Sequence, residues 1–418
     1  MTTKISRRLQ SLFTFFSILC WMSPATAGAQ ADTPTFVSTV RYPFADTQFA
    51  EDARIVATAQ ARRDVLGKAG PHIENLAVVK KQKVPKESVP ALAAAILEIE
   101  TVLQKSYAVD QSFVFEITVK TQINPATLEA QAERFLNDRD LLKKYQDTQK
   151  KASDLLDTVS ALEAESRQLT SARSEEKRAV SDKLRKAIDR LSAVAWFTRA
   201  LDLASRQTLA GRIPDEAADS LIKAVTLDPE YGDAWSWLGK VYSEKSEYGR
   251  AADYYQKALK ADVAARGENH PDIAVDYNRL GLARHRNGEY DLAIEAYRKA
   301  WLVQIQLLGE NHPDIAATYN NMGEAYRRKG EFDRAIEYYM KDLEITLKSL
   351  GPNHPNLIAT YNNLGYACHG KGDNGRAMEY FQKALEVCRI SLGDNHPQTR
   401  AIMENIEFLQ TGGPSAGR

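Results

Sequence analysis

The sequence predicts a mainly α protein: an α-solenoid of helical repeats, preceded by a long coiled-coil helix and a small α+β domain. Three observations predict it. The phrase G-x-N-H-P opens at Gly267, Gly309, Gly351 and Gly393, each 42 residues after the last. A fixed period of that size marks units that bury their apolar faces only against their neighbours. From Pro125 to Phe197 there is almost no Gly or Pro, and apolar residues recur at heptad spacing. Ahead of that stretch, FVFEITV at 113–119 alternates between faces as a half-buried strand does.

The chain's 418 residues are 44% hydrophobic, enough for two or three domains with real cores. Fifty-five basic residues balance fifty-five acidic ones, so no global field recruits nucleic acid or an anionic membrane. Lys4, Arg7 and Arg8 precede an apolar run from Leu12 to Met22, then Pro24 and ATAGAQA. That is the layout of a secretory signal peptide over 1–29, cleaved after Ala27 or Ala29. A twin-arginine signal would want an aromatic or Leu where Gln10 stands, and a lipoprotein box would want a small residue before Cys20 instead of Leu19. No later run approaches the length needed to span a bilayer, so no transmembrane segment is expected. The expected location is the periplasm or the cell exterior. Cys368 and Cys388 then remain, either as a disulfide or as two small buried apolar residues.

Residues 30–124 form the α+β domain. Ile55, Ala59, Val65 and Leu66 sit at helical spacing, and Gly70-Pro71 reads as a stop. In the strand, Phe113, Phe115, Ile117 and Val119 share one face; ILEIETVLQKSY at 96–107 alternates more loosely, with a turn at 109–111 between them. An A-R-x-x-A helix ahead of a hairpin resembles the small N-terminal module of flagellar-assembly and envelope-lipoprotein proteins.

The coiled-coil helix spans 125–197. Tyr145, Thr148, Ala152, Leu155, Val159, Leu162, Ser166 and Leu169 follow a 3-4 spacing. Val180, Leu184, Ala187, Leu191 and Val194 resume it after a four-residue shift near Arg173 to Lys177. Thr148, Ala152 and Ser166 thin the seam. Homo-oligomerisation through it and a hairpin packed on its own chain both satisfy the pattern.

Residues 198–410 are the repeats, and 411–418 a disordered tail. Trp235-x-x-Leu238-Gly239-x-x-Tyr242, then Ala251, Tyr255 and Ala258, sets a frame. It returns as Tyr277, Leu280, Gly281, Ala293 and Tyr297, as Tyr319, Met322, Gly323, Ala335 and Tyr339, and as Tyr361, Leu364, Gly365, Ala377 and Phe381. Ala217, Leu221, Ala224 and Pro229 fit a degenerate leading repeat; Met403 and Ile406 begin a closing helix. This frame resembles the tetratricopeptide repeat, a pair of antiparallel helices. A mid-helix Gly costs about 1 kcal/mol relative to Ala, so Gly239, Gly281, Gly323 and Gly365 need a reason. Close approach to Ala251, Ala293, Ala335 and Ala377 of the paired helix is the expected one. Gly288, Gly330 and Gly372 read as left-handed helix ends.

In N-H-P-D, Pro suits the first helical position and Asp favours the dipole, which leaves His or Asn as the N-cap. Metal binding by His270, His312, His354 and His396 is disfavoured, since equivalent corners of successive repeats lie too far apart for one ion's shell. The 42-residue unit with H-P-x-x-A-x-x-Y-N-N-L-G resembles the kinesin light chain type of repeat, which also occurs widely in bacteria. The resemblance implies a groove, lined by the first helices, that takes an extended or helical peptide. On that pattern Ser236, Asn278, Asn320 and Asn362 face the groove. Lys240, Leu282, Glu324 and Tyr366 lie one turn on, with His285, Arg286, Arg327, Arg328 and His369 beyond them. Asparagines can hydrogen-bond a peptide backbone, and the arginines favour an acidic segment.

The expected function is therefore a non-catalytic, exported scaffold or adaptor that holds a partner protein or peptide. The alternative is a permanent component of a bacterial envelope assembly, oligomerising through the coiled coil. No phosphate-cradling Gly loop, H-E-x-x-H or G-x-S-x-G is present in the sequence, so no catalytic residue, cofactor or metal is assigned.

Overall fold

A computed structural model describes residues 34–44, 50–109, 112–169, 174–207 and 214–411. The signal read over 1–29 lies outside the described residues, as does the tail beyond Thr411.

The N-terminal domain is a three-stranded antiparallel sheet with helices on one side. β1 (Thr35–Phe44), β2 (Glu100–Val109) and β3 (Ser112–Gln122) pair in the order β1-β3-β2, with Ile117 opposite Val40 on one flank and Gln104 on the other. β1 is an addition to the elements expected from the sequence. α1 (Ala50–Glu74) lays Ala53, Ala57, Ala61 and Val65 on Phe115, Ile117 and Val119, and these small side chains let helix and sheet approach closely. α1 runs on through Gly70-Pro71, which corrects the expected stop. An interior proline costs about 3 kcal/mol, but the next turn buries Ile73 completely and leads to the buried Leu76. Each such burial returns about 1.5–3 kcal/mol. α2 (Ala77–Lys81), a short turn at 86–88 and α3 (Val89–Ile96) close this layer, so Ile96 belongs to a helix and the strand starts four residues later.

On the other face of the sheet Glu116 is buried beneath basic neighbours. Its Oε2 accepts from Arg41 Nε at 2.7 Å and Tyr107 Oη at 2.8 Å, and Lys105 Nζ lies 3.3 Å from Oε1. The hydrogen bond from Arg41, then that from Tyr107, holds its pKa down at about 2.

The expected single coiled-coil helix is corrected. α4 (Pro125–Asn137), α5 (Arg139–Gln168) and α6 (Ser174–Gln207) occupy this stretch, and α5 and α6 pack together as a hairpin. The phase shift falls between the end of α5 and the start of α6: Leu169 is already extended, with ψ 120°. The thin seam suffices because a third surface covers it. Leu156 and Val159 meet Ala187, Ile188 and Leu191 under Val56 of α1. The boundary at 197 also moves, since α6 continues to Gln207 and its last turns pair with α7 (Asp215–Leu227) as the leading repeat. One apolar core runs unbroken from Leu66 through Phe197 and Leu221 to Val303, so sheet domain, hairpin and first repeats are fused.

The repeats continue as α8 (Gly232–Glu244) with α9 (Tyr248–Arg266), α10 (Pro271–Arg286) with α11 (Tyr290–Leu308), α12 (Pro313–Arg328) with α13 (Phe332–Leu350), and α14 (Asn356–Lys371) with α15 (Asn374–Leu392). α16 (Pro397–Thr411) closes the stack. At each G-x-N-H-P corner the histidine is the cap. Nδ1 of His270, His312, His354 and His396 accepts the backbone N–H two residues on, at 3.2 Å each time. The helical glycines meet aromatic rings, which corrects the expected alanine partners: a Cβ at Gly239, Gly281, Gly323 or Gly365 would strike Tyr255, Tyr297, Tyr339 or Phe381 at 2.5–2.6 Å. A helical side chain leans toward the N-terminus, so the ring four residues after each alanine covers the glycine. Cys368 and Cys388 are free and buried.

Candidate peptide groove

The 42-residue period places equivalent side chains in rows along α8, α10, α12 and α14. The asparagine row does something the sequence did not disclose: it joins repeats. Asn278 Nδ2 donates to Thr318 at 3.1 Å. Asn320 Nδ2 donates to the buried Asp342 at 2.7 Å, while its Oδ1 accepts from Asn363 at 3.2 Å. Asn362 Oδ1 accepts from Asn405 of the closing helix at 3.1 Å. At the first joint Ser236 accepts from Arg279 Nη1 at 3.0 Å. These amides are half-buried and already engaged.

In the next row Glu324 is held by its own helix. Arg327 grips it through two bonds of 2.7 Å, Arg328 adds one of 2.9 Å, and Tyr339 Oη donates at 3.0 Å. Burial raises the Glu324 pKa, but the arginine bonds outweigh it and the net shift is downward. Tyr366 donates to Asn405 at 3.0 Å, and the Arg327 guanidinium lies 5.8 Å from its ring. Burial also lowers the pKa of His285, favouring the neutral ring, whose Nε2 has no partner; Nε2 of His369 is likewise unpartnered.

A surface open to a ligand lies at the joint of α8 and α10. A cavity of about 200 Å³, the size of one side chain, is lined by Lys240, Ser243, Glu244, Tyr255, Arg279, Leu282, Ala283 and Arg286. Lys240 sits 4.7 Å over Trp237, and Arg286 lies 5.7 Å from Tyr248. Three cations around an exposed leucine face one carboxylate there. Lys240 and Arg286 are expected from the sequence pattern; Arg279 is not. A signal for it exists, because Arg279 follows Asn278 where Asn321 and Asn363 follow Asn320 and Asn362. A larger depression of about 520 Å³ lies at the turn of the third repeat, but Lys371 pairs with Asp333 and Arg334 with Glu331 across it. Its charges already satisfy one another. Among the described residues no group of three or more His, Cys, Asp or Glu could hold a metal ion, and no helix is long and apolar enough to cross a membrane.

Paired antiparallel helices stacked at a fixed period, each pair locked by a glycine under an aromatic ring, define an α-solenoid of helix-pair repeats. The tetratricopeptide repeat family model matches residues 230–301, 277–348 and 314–390. Within that span the helix pairs match the tetratricopeptide repeat. Comparison with curated proteins gives no match. Among solved structures, the nearly identical repeats of a Podosopora anserina kinesin light chain are 20% identical with a TM-score of 0.39, covering 44% of this chain and 87% of that one. BtubC (BKLC) from P. vanneervenii is 21% identical at a TM-score of 0.42, covering 58% and 94%. YrrB, described as having an unusual peptide-binding site, is 22% identical at 0.36, covering 51% and 92%.

Proposed function

We propose that this chain is an exported, non-catalytic scaffold that holds a segment of a partner protein along the first helices of its repeats. One observation carries the reading: Lys240, Arg279 and Arg286 surround Leu282 at a side-chain-sized cavity. Arginines present forked donors that suit carboxylates, so the segment that fits is acidic with an apolar residue beside the charge. The asparagines, engaged between repeats, set the spacing of this surface. Export rests on the basic, apolar and small-residue pattern of residues 1–29.

The test is capture of partners from envelope extract by the mature chain, beside an Arg279→Ala/Arg286→Ala variant of unchanged circular dichroism. A Lys260→Ala variant, on the second helix of its repeat, is the charge control. A partner bound by the parent and the control but lost by the double variant is expected. Equal capture by all three overturns the groove. N-terminal sequencing of the periplasmic protein checks export, and an intact Met1 there refutes cleavage.

A second reading, a permanent part of an envelope assembly, is favoured by β2. This edge strand is exposed along most of its length, with Val102 at 53% and Val109 at 44% exposure, and an open edge is a template for another strand. A structural part co-purifies at fixed stoichiometry, whereas an adaptor exchanges its partner.

A further inference from the structure

At each joint between full repeats a buried polar residue of one second helix stands at the next first helix, and the repeats differ in what they place there. Gln304 accepts from Thr318 at 2.8 Å. Thr346 and Thr360 both donate to Asp342, at 3.0 and 2.8 Å. At the joint between α9 and α10 the same two positions hold carboxyl groups, Asp262 and Asp276, only 7% and 3% exposed.

The cations nearby form only long ion pairs with these carboxyls. Arg266 Nε is 3.8 Å from Asp262, and Arg279 Nη1 is 3.8 Å from Asp276, both beyond hydrogen-bond reach. Arg266 binds Asp272 instead, and Arg279 binds Ser236. Asp233 of α8 adds negative charge and is bound by Lys144 of the hairpin, with Lys151 acting from further off. Asp276 Oδ2 is buried with no partner. Two ionised carboxylates accept hydrogen bonds and donate none, so carboxyls at the positions where Thr318 and Gln304 bond each other can do the same only with a proton between them.

We propose that Asp262 and Asp276 share one proton across the joint of α9 and α10, and that its loss to solvent loosens this joint and draws Arg279 out of the groove. With the proton present, Asp276 is neutral and Arg279 is free to reach Ser236 and the cavity. When a water or buffer base removes it, two carboxylates repel across the joint and Arg279 turns to the nearer one. Burial first, and the charge of Asp262 second, push the Asp276 pKa up to about 7. A folded pKa raised above the ordinary 3.8 means that the pair's stabilisation is complete below that value and is lost as pH rises through about 7. The consequence for a ligand rests on the groove reading, whereas the proton itself does not.

The test is therefore made without ligand. Carbon-13 NMR of the aspartate carboxyls in the full chain is expected to show a titration near pH 7 that vanishes in Asp276→Asn. Amide hydrogen exchange in α10, corrected for its intrinsic pH dependence, is expected to quicken through the same range in the parent and to stay level in the variant. Should Asp276→Asn not fold, Asp276→Thr takes the residue type of positions 318 and 360 and makes the same prediction. The absence of any aspartate carboxyl titrating above about pH 5.5, or identical exchange profiles in parent and variant, overturns the proposal.

Discussion

Replacing Gly323 with alanine sets two opposing effects against each other, and the structure decides which is larger. Gly323 lies inside α12, where alanine is favoured by about 1 kcal/mol on backbone grounds alone. A Cβ there would sit 2.6 Å from Tyr339 Cε1, 2.7 Å from Cδ1 and 3.0 Å from Cζ. Ordinary carbon contact is at about 3.5–4.0 Å, so ring and helix must separate by on the order of 1 Å. The ring cannot swing aside, because Tyr339 is fully buried and its Oη is fixed on Glu324. Overpacking of this kind costs about 1–3 kcal/mol, which leaves a net loss of about 1–2 kcal/mol after the helix gain.

Gly67→Ala is the matched control: the residue is inside α1, and nothing lies within 4 Å of its added Cβ. There the gain stands alone, and a rise of about 0.5–1 kcal/mol is expected. Urea unfolding followed by far-ultraviolet circular dichroism reads both as shifts of midpoint at constant slope. If Gly323→Ala raises the midpoint as Gly67→Ala does, the account of the helical glycines as ring contacts is wrong.

Ser246 occupies the left-handed position that Gly288, Gly330 and Gly372 fill in later repeats, with φ 62°. Relief of about 1–2 kcal/mol of left-handed strain outweighs glycine's entropy cost of about 0.5–1, so Ser246→Gly should raise stability by about 0.5–1 kcal/mol; an unchanged or lower thermal midpoint refutes it. Because its folded pKa is lowered from 4.5 to about 2, Glu116 contributes stability above pH 4.5 that is lost as pH falls toward 2. The parent's advantage over Glu116→Gln should accordingly be full at neutral pH and shrink in acid; a constant difference would count against the Arg41 and Tyr107 contacts. Burial raises both cysteine thiols, so Cys368 and Cys388 should resist a disulfide reagent in the native chain and react in denaturant. Rapid native reaction would show that they are accessible.

The repeats were legible because their residues act locally and recur. Gly309 must end a helix, Pro313 must begin one, and His312 can cap only the helix that starts beside it, so the period reports the geometry directly. β3 was legible for the same reason: Phe115, Ile117 and Val119 lie on one covered face. β1 was not, because Val37 is 47% exposed and strand alternation needs a buried face to be written in apolar residues. The groove was half legible. Lys240 and Arg286 are placed by their position in the repeat, whereas the binding of Asn320 to Asp342 and Asn363 depends on residues 22 and 43 positions away.

The sequence by itself determined whatever a single helix or turn must satisfy internally: caps, stops, the helix-pair period and the identity of the apolar face. Only the tertiary structure decided which surfaces meet. The heptads of α5 and α6 fit a dimer or a hairpin equally well, and the cover that Val56 supplies on Leu156 and Leu191 shows the hairpin. Glycine tolerance was set by the lean of a ring from the next helix, and the raised pKa of Asp276 by its burial at a joint beside Asp262. Local chemistry is fixed by neighbours in the chain, but burial and charge are set by neighbours in space.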